Sequence, residues 1–349
     1  MNKNFFKIDK KIKLLDILKI LEVSQKDFFS CNFFTKEFLE NTFIEDFVSF
    51  QNLNKNKLSF LNNIKIDLKD ISSGICIVKK QNFKFLHKDI IKIPFDNPKE
   101  GFSKILKKYF NENLKFQNQM IHPLSIIHET VKIGKNVFIG AYSIIEEGVI
   151  IEDNTYISER VTITANCKIG QKCFIGSGVM IHCTIMDKNV SVFHNSVLGK
   201  IGFGFTPNKA KTNLIPHIGA LEIGEGTNIG SGCTIDRGLI DNTSIGKYVM
   251  IDNQVHIGHN CIIEDFCILA GKVGLSGSVL LKKNVILGGD VSIKDNITIG
   301  KNSIVAGASK VFNSFPDGSR IGGNPAQDIN SWKRLVASQR LKNKKRKKE

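Results

Sequence analysis

The stretch that decides the fold runs from residue 127 to residue 157 and reads IHETVKIGKNVFIGAYSIIEEGVIIEDNTYI. An isoleucine stands at every sixth position, and a small or β-branched residue such as Val131, Val137 or Ser143 precedes each isoleucine by two. Gly, Asn and Asp are frequent between these pairs, and these residue types tolerate unusual turn dihedrals. The pattern predicts a short strand and a tight turn in every six residues.

The six-residue period extends over most of the second part of the chain. A first block runs from Ile127 to Ile181, and a second runs from Ile223 to Val311 with a slip at residues 239–240. Two inward residues in every six are typical of a parallel β-helix, in which three hexads form one coil. Residues eighteen apart should therefore lie on adjacent coils, at the usual strand spacing of about 4.8 Å.

Composition divides the chain of 349 residues into domains. Of its 25 phenylalanines, 17 lie at or before Phe116. Residues 57–61 and 74–78 are strand-like, and apolar residues from Phe102 to Phe110 follow helical spacing. We predict a small α+β domain over residues 1–118, a mainly β domain formed by the β-helix over residues 119–325, and a short basic helix and tail over residues 326–349.

Residues 200–219 interrupt the six-residue period and include Phe203 and Phe205, which no repeat position buries. We predict a loop that leaves the coil here. Long loops in compact repeats are usually functional.

Charge and cysteine content limit the class of protein. The formal net charge is +16. No apolar run is long enough to cross a bilayer, and lysines interrupt the apolar stretches of the first twenty residues. The sequence therefore predicts neither a membrane span nor a secretory signal. We expect a cytoplasmic protein. The eight cysteines lack the paired spacing of a zinc or redox site, and five occupy the small inward slot as core residues. These five are Cys167, Cys173, Cys233, Cys261 and Cys267.

His259, in the second block of repeats, has neighbours that suit acid–base catalysis. The repeat points both His256 and His259 away from the interior. Asp252 precedes His259 by seven residues, about one side of the coil, and can orient an imidazole. Gly277 follows His259 by eighteen residues, which places its backbone N–H on the adjacent coil. A base beside a backbone donor suits acyl transfer.

Several motifs resemble one family of left-handed β-helix acyltransferases, the UDP-3-O-(3-hydroxyacyl)glucosamine N-acyltransferases of lipid A biosynthesis. The matching motifs are GFGF at residues 202–205, PHIG at 216–219, TIDRG at 234–238 and IDNQVHIGHN at 251–260. The left-handed sense of the coil is expected from this resemblance alone.

The resemblance implies that a homotrimer transfers a 3-hydroxyacyl chain from acyl carrier protein to the 2-amino group of a UDP-linked, O-acylated glucosamine. It makes His259 the general base, Asp252 its partner and Gly277 N–H the oxyanion donor, with no metal and no cofactor. It also implies substrate contacts by Asn253, Gln254 and Asn296, the last standing where the family often has a second histidine.

The N-terminal domain is similar to the nucleotide-recognition domain of the same family. The segment FLNN at residues 60–63 resembles its uracil-binding motif, which implies that Phe60 and Asn63 bind the base. The aromatic residue expected after this motif is replaced by Ile66.

Three other classes stay open at this point. A hexapeptide O-acyltransferase acting on UDP-N-acetylglucosamine, or an acetyl-CoA enzyme, shares the closing segment GNPA at residues 323–326. A zinc enzyme of the γ-carbonic anhydrase type needs three converging histidines, and His256 and His259 have no third on a neighbouring coil. A non-catalytic scaffold is the remaining class.

The basic end of the chain predicts an acidic partner. From Lys333 to Glu349 there are nine Lys or Arg residues and one Glu, a local charge of +8. A solvated end and nucleic-acid binding are the general alternatives. Given the resemblance, acidic acyl carrier protein is the favoured partner, without nucleic acid.

Overall fold

The computed structural model describes residues 6, 12–32, 34–62, 71–110, 120–206, 212–323, 334 and 337–338. The chain forms two compact units, Met1–Lys115 and Phe116–Glu349. Asn63, Ile66 and most of the predicted basic helix and tail lie outside the described residues.

The first unit is a small α+β domain. Its elements are β1 (Ile12–Lys13), α1 (Leu14–Ile20), α2 (Gln25–Phe29), α3 (Lys36–Asn41), β2 (Phe43–Ile44), β3 (Asp46–Phe47), β4 (Lys57–Leu61), β5 (Gly74–Val78), β6 (Ile90–Pro94) and α4 (Pro98–Tyr109), with 3₁₀ turns at Phe50–Asn52 and Lys80–Phe85. The strands β3, β4, β5 and β6 form a parallel sheet, and β1 pairs with β2.

The local sequence explains these elements. All five residues of β5 and of β6 are buried, as expected for the apolar strands of a covered parallel sheet. Helix α4 begins at Pro98 after Asn97, whose side chain accepts a hydrogen bond from Glu100 N–H at 3.4 Å. The strands predicted at residues 57–61 and 74–78 and the helix predicted around residues 102–110 are confirmed.

The second unit is a parallel β-solenoid with three sheets, one on each side of the coil. Sheet 1 contains, in spatial order, Met120–Ile121, Phe138–Ile139, Tyr156–Ile157, Phe174–Ile175, Ser191–Val192, Asn228–Ile229, Met250–Ile251, Ile268–Leu269, Ile286–Leu287, Ile304–Val305 and Arg320–Ile321. Sheet 2 contains Ile126–Ile127, Ile144–Ile145, Thr162–Ile163, Met180–Ile181, Val197–Lys200, Thr234–Asp236, His256–Ile257, Gly274–Leu275, Ser292–Ile293 and Lys310–Val311. Sheet 3 contains Lys132–Ile133, Ile150–Ile151, Lys168–Ile169, Thr184–Met186, Leu221–Ile223, Thr243–Ile245, Ile262–Ile263, Leu280–Leu281 and Thr298–Ile299.

The interior of the solenoid is one continuous apolar core. The inward aliphatic residues stack from coil to coil, as Ile139, Ile157 and Ile175 do in sheet 1, and all three are fully buried. Polar residues in the small inward slot are satisfied locally: the buried Thr155 hydroxyl donates to the Gly170 carbonyl at 2.8 Å. The predicted six-residue repeat is confirmed, and it fits a left-handed β-helix.

The corners of the coils require a left-handed backbone at one residue in every six. Asn136, Tyr142, Arg160 and Phe266 have φ values between 54° and 60° at this slot. The prediction of Gly, Asn and Asp at the turns was therefore incomplete, because bulky residues also occupy the slot. Hydrogen bonds to the adjacent coil hold it in place, as when Arg160 N–H donates to the Ala141 carbonyl at 2.9 Å.

The segment at residues 200–219 leaves the coil, as predicted. Phe205–Thr206 pairs antiparallel with Asn213–Leu214. The chain then returns beside the slip in the repeat, where Ile218 N–H donates to the Leu239 carbonyl at 2.8 Å. Among the helices that the structure describes, none is long and apolar enough to cross a membrane.

Candidate active site

His259 stands at a corner between sheets 2 and 3. In the preceding strand, Ile257 fills the interior and His256 is exposed on the outer surface. Gly258 begins the turn, and the His259 side chain is half-buried. Gly202 of the GFGF segment lies against it, because a β-carbon at residue 202 would stand 2.8 Å from the His259 Cβ atom. The loop therefore packs directly against one side of the histidine.

Gly277 faces the other side of the imidazole from the adjacent coil. A β-carbon at residue 277 would stand 2.8 Å from the His259 Nε2 atom. The coils are joined here by Ser278 N–H, which donates to the His259 carbonyl at 2.9 Å. Within the described part of the chain, the Gly277 N–H has no hydrogen-bond partner. The predicted adjacency of His259 and Gly277 is confirmed by the register of their strands.

The second ring nitrogen of His259 contacts the next residue in the chain. Its Nδ1 atom lies 3.0 Å from the Asn260 Oδ1 atom. An amide oxygen only accepts, so Nδ1 carries the hydrogen and Nε2 is the basic nitrogen. The repeat pattern alone gives Asn260 no role, because it occupies an ordinary turn position.

Asp252, Asn253 and Gln254 lie together at the preceding corner. The Asp252 Oδ1 atom accepts from Asn253 N–H at 2.7 Å, and Asn253 Oδ1 accepts from Ser231 N–H at 2.8 Å. Gln254 occupies the left-handed slot with φ of 59° and is exposed. These contacts organise their own turn, and in the described residues the Nδ1 contact of His259 is to Asn260. The substrate and partner roles of these three residues stay predictions.

A cavity of about 540 Å³ opens beside His259 and Gly277. Its wall also includes Phe203 from the loop and Asn296 from the next coil. Gly274 leaves a gap in the outer row of sheet 2, because a β-carbon there would have no neighbour within 4 Å. The cavity therefore combines a basic nitrogen and a free backbone donor with room for a substrate.

Asn296 lies at the far side of Gly277. Its N–H donates to the Gly277 carbonyl at 3.1 Å, and its Nδ2 atom donates to Asp295 Oδ2 at 2.8 Å. The structure thus brings Asn296, Gly277 and His259 to one cavity. The role of Asn296 in substrate binding stays a prediction.

Asp236 is a buried carboxylate in the wall of the same cavity. Its Oδ1 atom lies 2.6 Å from the Nζ atom of Lys200, which begins the loop. A buried charge needs such a partner. The pair therefore ties the base of the loop to sheet 2 beside the catalytic candidate.

His217 is a site neighbour for which the sequence analysis assigned no role. It is 2% exposed, its Nδ1 atom lies 2.9 Å from the Ile215 carbonyl, and its ring meets the His259 ring at 77° with centroids 5.3 Å apart. The PHIG motif contained this histidine, but the spacing gave no sign of contact because the loop must fold back to bring it there.

Two further observations concern metals and nucleotides. Among the residues that the structure describes, no three His, Cys, Asp or Glu side chains are arranged to hold a metal ion.

In the first unit, the half-buried Phe60 packs against Phe102 with ring centroids 4.9 Å apart. A larger cavity of about 940 Å³ in that unit is lined by residues such as Phe34 and Phe38 and does not include Phe60.

The fold and the repeats define a hexapeptide-repeat β-helix protein. The sequence matches the bacterial transferase hexapeptide (six repeats) family over residues 130–165 and 242–277, and the second segment contains both His259 and Gly277. The chain is also similar to the UDP-3-O-acylglucosamine N-acyltransferase of Leptospira biflexa, with 45% identity over 89 residues, 26% of this chain and 25% of that protein. These findings confirm the resemblance stated from the motifs.

Two further comparisons extend the matched region. The UDP-3-O-acylglucosamine N-acyltransferase of Rhizobium meliloti is 40% identical over 174 residues, 50% of this chain and 49% of that protein. The structure of the Arabidopsis UDP-N-acetylglucosamine acyltransferase matches with a TM-score of 0.51 and 25% identity, over 57% of this chain and 69% of that one. The chain thus spans a quarter to a half of the length of these two curated relatives.

Proposed function

We propose that the protein is an N-acyltransferase that moves a 3-hydroxyacyl chain from acyl carrier protein to the 2-amino group of UDP-3-O-acylglucosamine. One observation carries the proposal: the imidazole ring of His259 packs against Gly277, whose N–H has no partner among the described residues, at the edge of a cavity. The similarity to UDP-3-O-acylglucosamine N-acyltransferases supports the choice of substrate.

The reaction follows from this geometry. His259 Nε2 takes a proton from the substrate amine as the amine nitrogen attacks the thioester carbonyl carbon. The carbonyl oxygen becomes an oxyanion, which accepts a hydrogen bond from Gly277 N–H. When the intermediate collapses, the carbon–sulfur bond breaks and the imidazolium returns its proton to the departing thiolate. The products are an amide and the free thiol of the carrier protein.

Asp252 has a secondary role in this proposal. It stands one corner before His259, and its Oδ1 atom is held by Asn253 N–H. The resemblance of the motif supports it as the partner of the imidazolium that forms during the reaction, and its hydrogen bond within one chain is to Asn253 rather than to His259. Removal of the Asp252 charge should therefore slow the reaction less than removal of His259.

Substrate binding is assigned to further residues, of which Asn296 shares the cavity with His259. Phe60 in the first unit stacks on the uracil base with Asn63, and Asn253, Gln254 and Asn296 contact the sugar nucleotide. The protein acts in the cytoplasm as a homotrimer, and its basic end attracts the acidic carrier protein. These assignments rest on the motifs and on the charge of the chain.

O-acyl transfer to UDP-N-acetylglucosamine is the second candidate, favoured by the Arabidopsis structure. The deciding experiment supplies purified protein with 3-hydroxyacyl carrier protein and either UDP-3-O-acylglucosamine or UDP-N-acetylglucosamine, and follows the product by mass spectrometry. The N-acyltransferase should form a new acyl linkage that survives hydroxylamine, since amides resist the treatment that cleaves esters. A hydroxylamine-labile product from UDP-N-acetylglucosamine alone would replace the proposal by the second candidate.

A further inference from the structure

We infer that Asn260 is a positioning residue that holds the hydrogen of His259 on Nδ1, so that Nε2 is the base. The inference deepens the proposed function and rests on it for its catalytic meaning. Its geometric basis is independent of any substrate, because it concerns contacts within one corner of the solenoid.

The orientation of the Asn260 amide is set by two backbone groups. Its Oδ1 atom accepts from Leu239 N–H at 3.0 Å, and its Nδ2 atom donates to the Asp241 carbonyl at 2.9 Å. If the amide were reversed, its NH₂ group would face the Leu239 N–H, donor against donor. Its oxygen would face the Asp241 carbonyl, acceptor against acceptor. The oxygen therefore lies on the His259 side.

The amide orientation in turn determines the imidazole tautomer. Asn260 Oδ1 lies 3.0 Å from His259 Nδ1, and an amide oxygen can only accept there. Hydrogen on Nε2 would leave two acceptors facing each other at that distance. The hydrogen is therefore held on Nδ1, which leaves the lone pair on Nε2.

The slip in the six-residue repeat supplies this arrangement. Leu239 and Asp241 belong to the few residues that interrupt the period between Asp236 and Thr243. Asn260 is also anchored by its own N–H, which donates to Thr243 Oγ1 at 2.8 Å. The interruption thus places two main-chain groups beside the Asn260 amide.

Two other asparagines with the same left-handed backbone conformation lack these contacts to main-chain groups. Asn284 and Asn302 have φ values of 60° and 58°, close to the 59° of Asn260. Their side chains bond to each other instead, with Asn284 Nδ2 lying 3.0 Å from Asn302 Oδ1. The contacts of Asn260 are therefore specific to its position rather than to the slot, and Asn302 is a matched control.

The test compares Asn260→Asp, Asn260→Ala, Asn302→Asp and Asn302→Ala in the full chain. Alanine fits the slot, since Ala308 occupies it with φ of 58°. The first readout is the pH dependence with which diethyl pyrocarbonate modifies His259, measured by peptide mass spectrometry with His128 as internal reference. This readout needs no substrate, so it distinguishes failure of this inference from failure of the proposed function.

A carboxylate at residue 260 stabilises the protonated imidazole. Asn260→Asp should move the midpoint of His259 modification, and the acid limb of kcat/KM, upward by about one pH unit. Among the described residues, the other titratable groups around the site are His217 across the ring, His256 on the same strand, Asp236 with its partner Lys200, and Asp295 in the cavity wall. They are unchanged in the variant, so the shift reports position 260.

Loss of the amide should slow the chemical step. Asn260→Ala should lower kcat by about 10- to 100-fold, as for other partners that orient a histidine, with KM values within twofold of wild type. The Asn302 variants should match wild type in both readouts. An unmoved midpoint in Asn260→Asp overturns the inference, and so does an unchanged kcat in Asn260→Ala. If Asn260→Asp moves the midpoint of His259 modification but wild-type protein forms no amide product, the proposed function is overturned and this inference stands.

Discussion

The His259 imidazole ring packs against Gly277 of the adjacent coil, so closely that a β-carbon at residue 277 would stand 2.8 Å from both Cε1 and Nε2. The two residues are eighteen apart, which is one full coil of the solenoid. Neither residue alone would form the proposed site, because the proposed donor belongs to one coil and the proposed base to the other. The geometry of the site therefore depends on coil stacking.

Gly277→Ala tests this closeness. The added β-carbon would stand 2.8 Å from His259 Nε2 and push the ring away, while the φ of residue 277 lies outside the left-handed region. Displacement of a catalytic group by about 1 Å can cost roughly 100-fold in rate. We expect a fall of that order in kcat with an unchanged melting temperature. Gly289→Ala is the control, because its β-carbon would meet only an ordinary 3.5 Å contact. Equal activity of the two variants would contradict the assigned role of Gly277.

His259→Ala should abolish acyl transfer without disturbing the fold. The side chain is half-buried at a corner and contributes nothing to the aliphatic interior. Loss of a general base typically costs about 10²- to 10⁴-fold in rate. Steady-state kinetics and thermal melting should be measured beside His128→Ala, which removes an exposed histidine on a distant coil. Asp252→Asn should show a smaller loss, and wild-type turnover in His259→Ala would remove the histidine from the mechanism.

Phe60→Ala should raise the KM for the sugar nucleotide and leave kcat nearly unchanged. This pattern follows when an interaction is lost equally from the bound substrate and the transition state. Phe60 also packs against Phe102, so Phe60→Leu is the control that retains apolar volume but not the aromatic face. Both variants should bind the nucleotide weakly. If their KM values equal that of wild type, the uracil site lies elsewhere.

The buried thiols should be unreactive and should make stability depend on alkaline pH. Burial raises the pKa of Cys261 and of Cys173 to about 12 and that of Cys267 to about 11. In the unfolded chain these thiols ionise near pH 9, so their contribution to stability is complete below that pH and is lost as the pH rises toward 12. Melting temperature should therefore fall across this range.

A matched variant isolates the thiol effect. Valine occupies the same inward slot at Val255, Val273 and Val279, so combined Cys173→Val, Cys261→Val and Cys267→Val should keep the core packed. The alkaline decline in melting temperature should become shallower in this variant. Identical pH profiles for the two proteins would show that other groups cause the decline.

Removal of the basic end should weaken use of acyl carrier protein. A chain ending at Ser331 loses nine Lys or Arg residues and one Glu. Electrostatic steering raises association rates by about 10-fold or more at low salt and fades as salt shortens the Debye length to about 8 Å. We expect a raised carrier-protein KM with a weaker salt dependence, and an unchanged sugar-nucleotide KM. No change in the carrier-protein KM would assign the charges to another role.

The sequence was sufficient for the solenoid and for one contact of the site. A period of six fixes which residues point inward, and three hexads per coil place Gly277 beside His259 without any knowledge of loops. The strands that contain Ile251, Ile257 and Ile263 follow directly from that period. Local and regular features of this kind depend on spacing alone.

The remaining neighbours of His259 required the structure. His217 reaches the site because the loop folds back, and no periodic signal encodes that path. Asn260 occupies an ordinary turn slot, and its role depends on where Leu239 and Asp241 lie outside the repeat. Side-chain orientation at irregular segments is set by tertiary contacts, which spacing does not reveal.

The left-handed corner slot has a consequence for how such a protein can diversify. Tyr142, Arg160 and Phe266 adopt nearly the same φ there as Asn136, so the stacking of coils imposes this geometry whatever the side chain. Surface chemistry at the corners is therefore uncoupled from the aliphatic interior. A corner pair such as His259 and Asn260 can arise, be lost or be replaced while every inward residue stays the same, and one scaffold can thus acquire new reactions by exchanging residues at its edges.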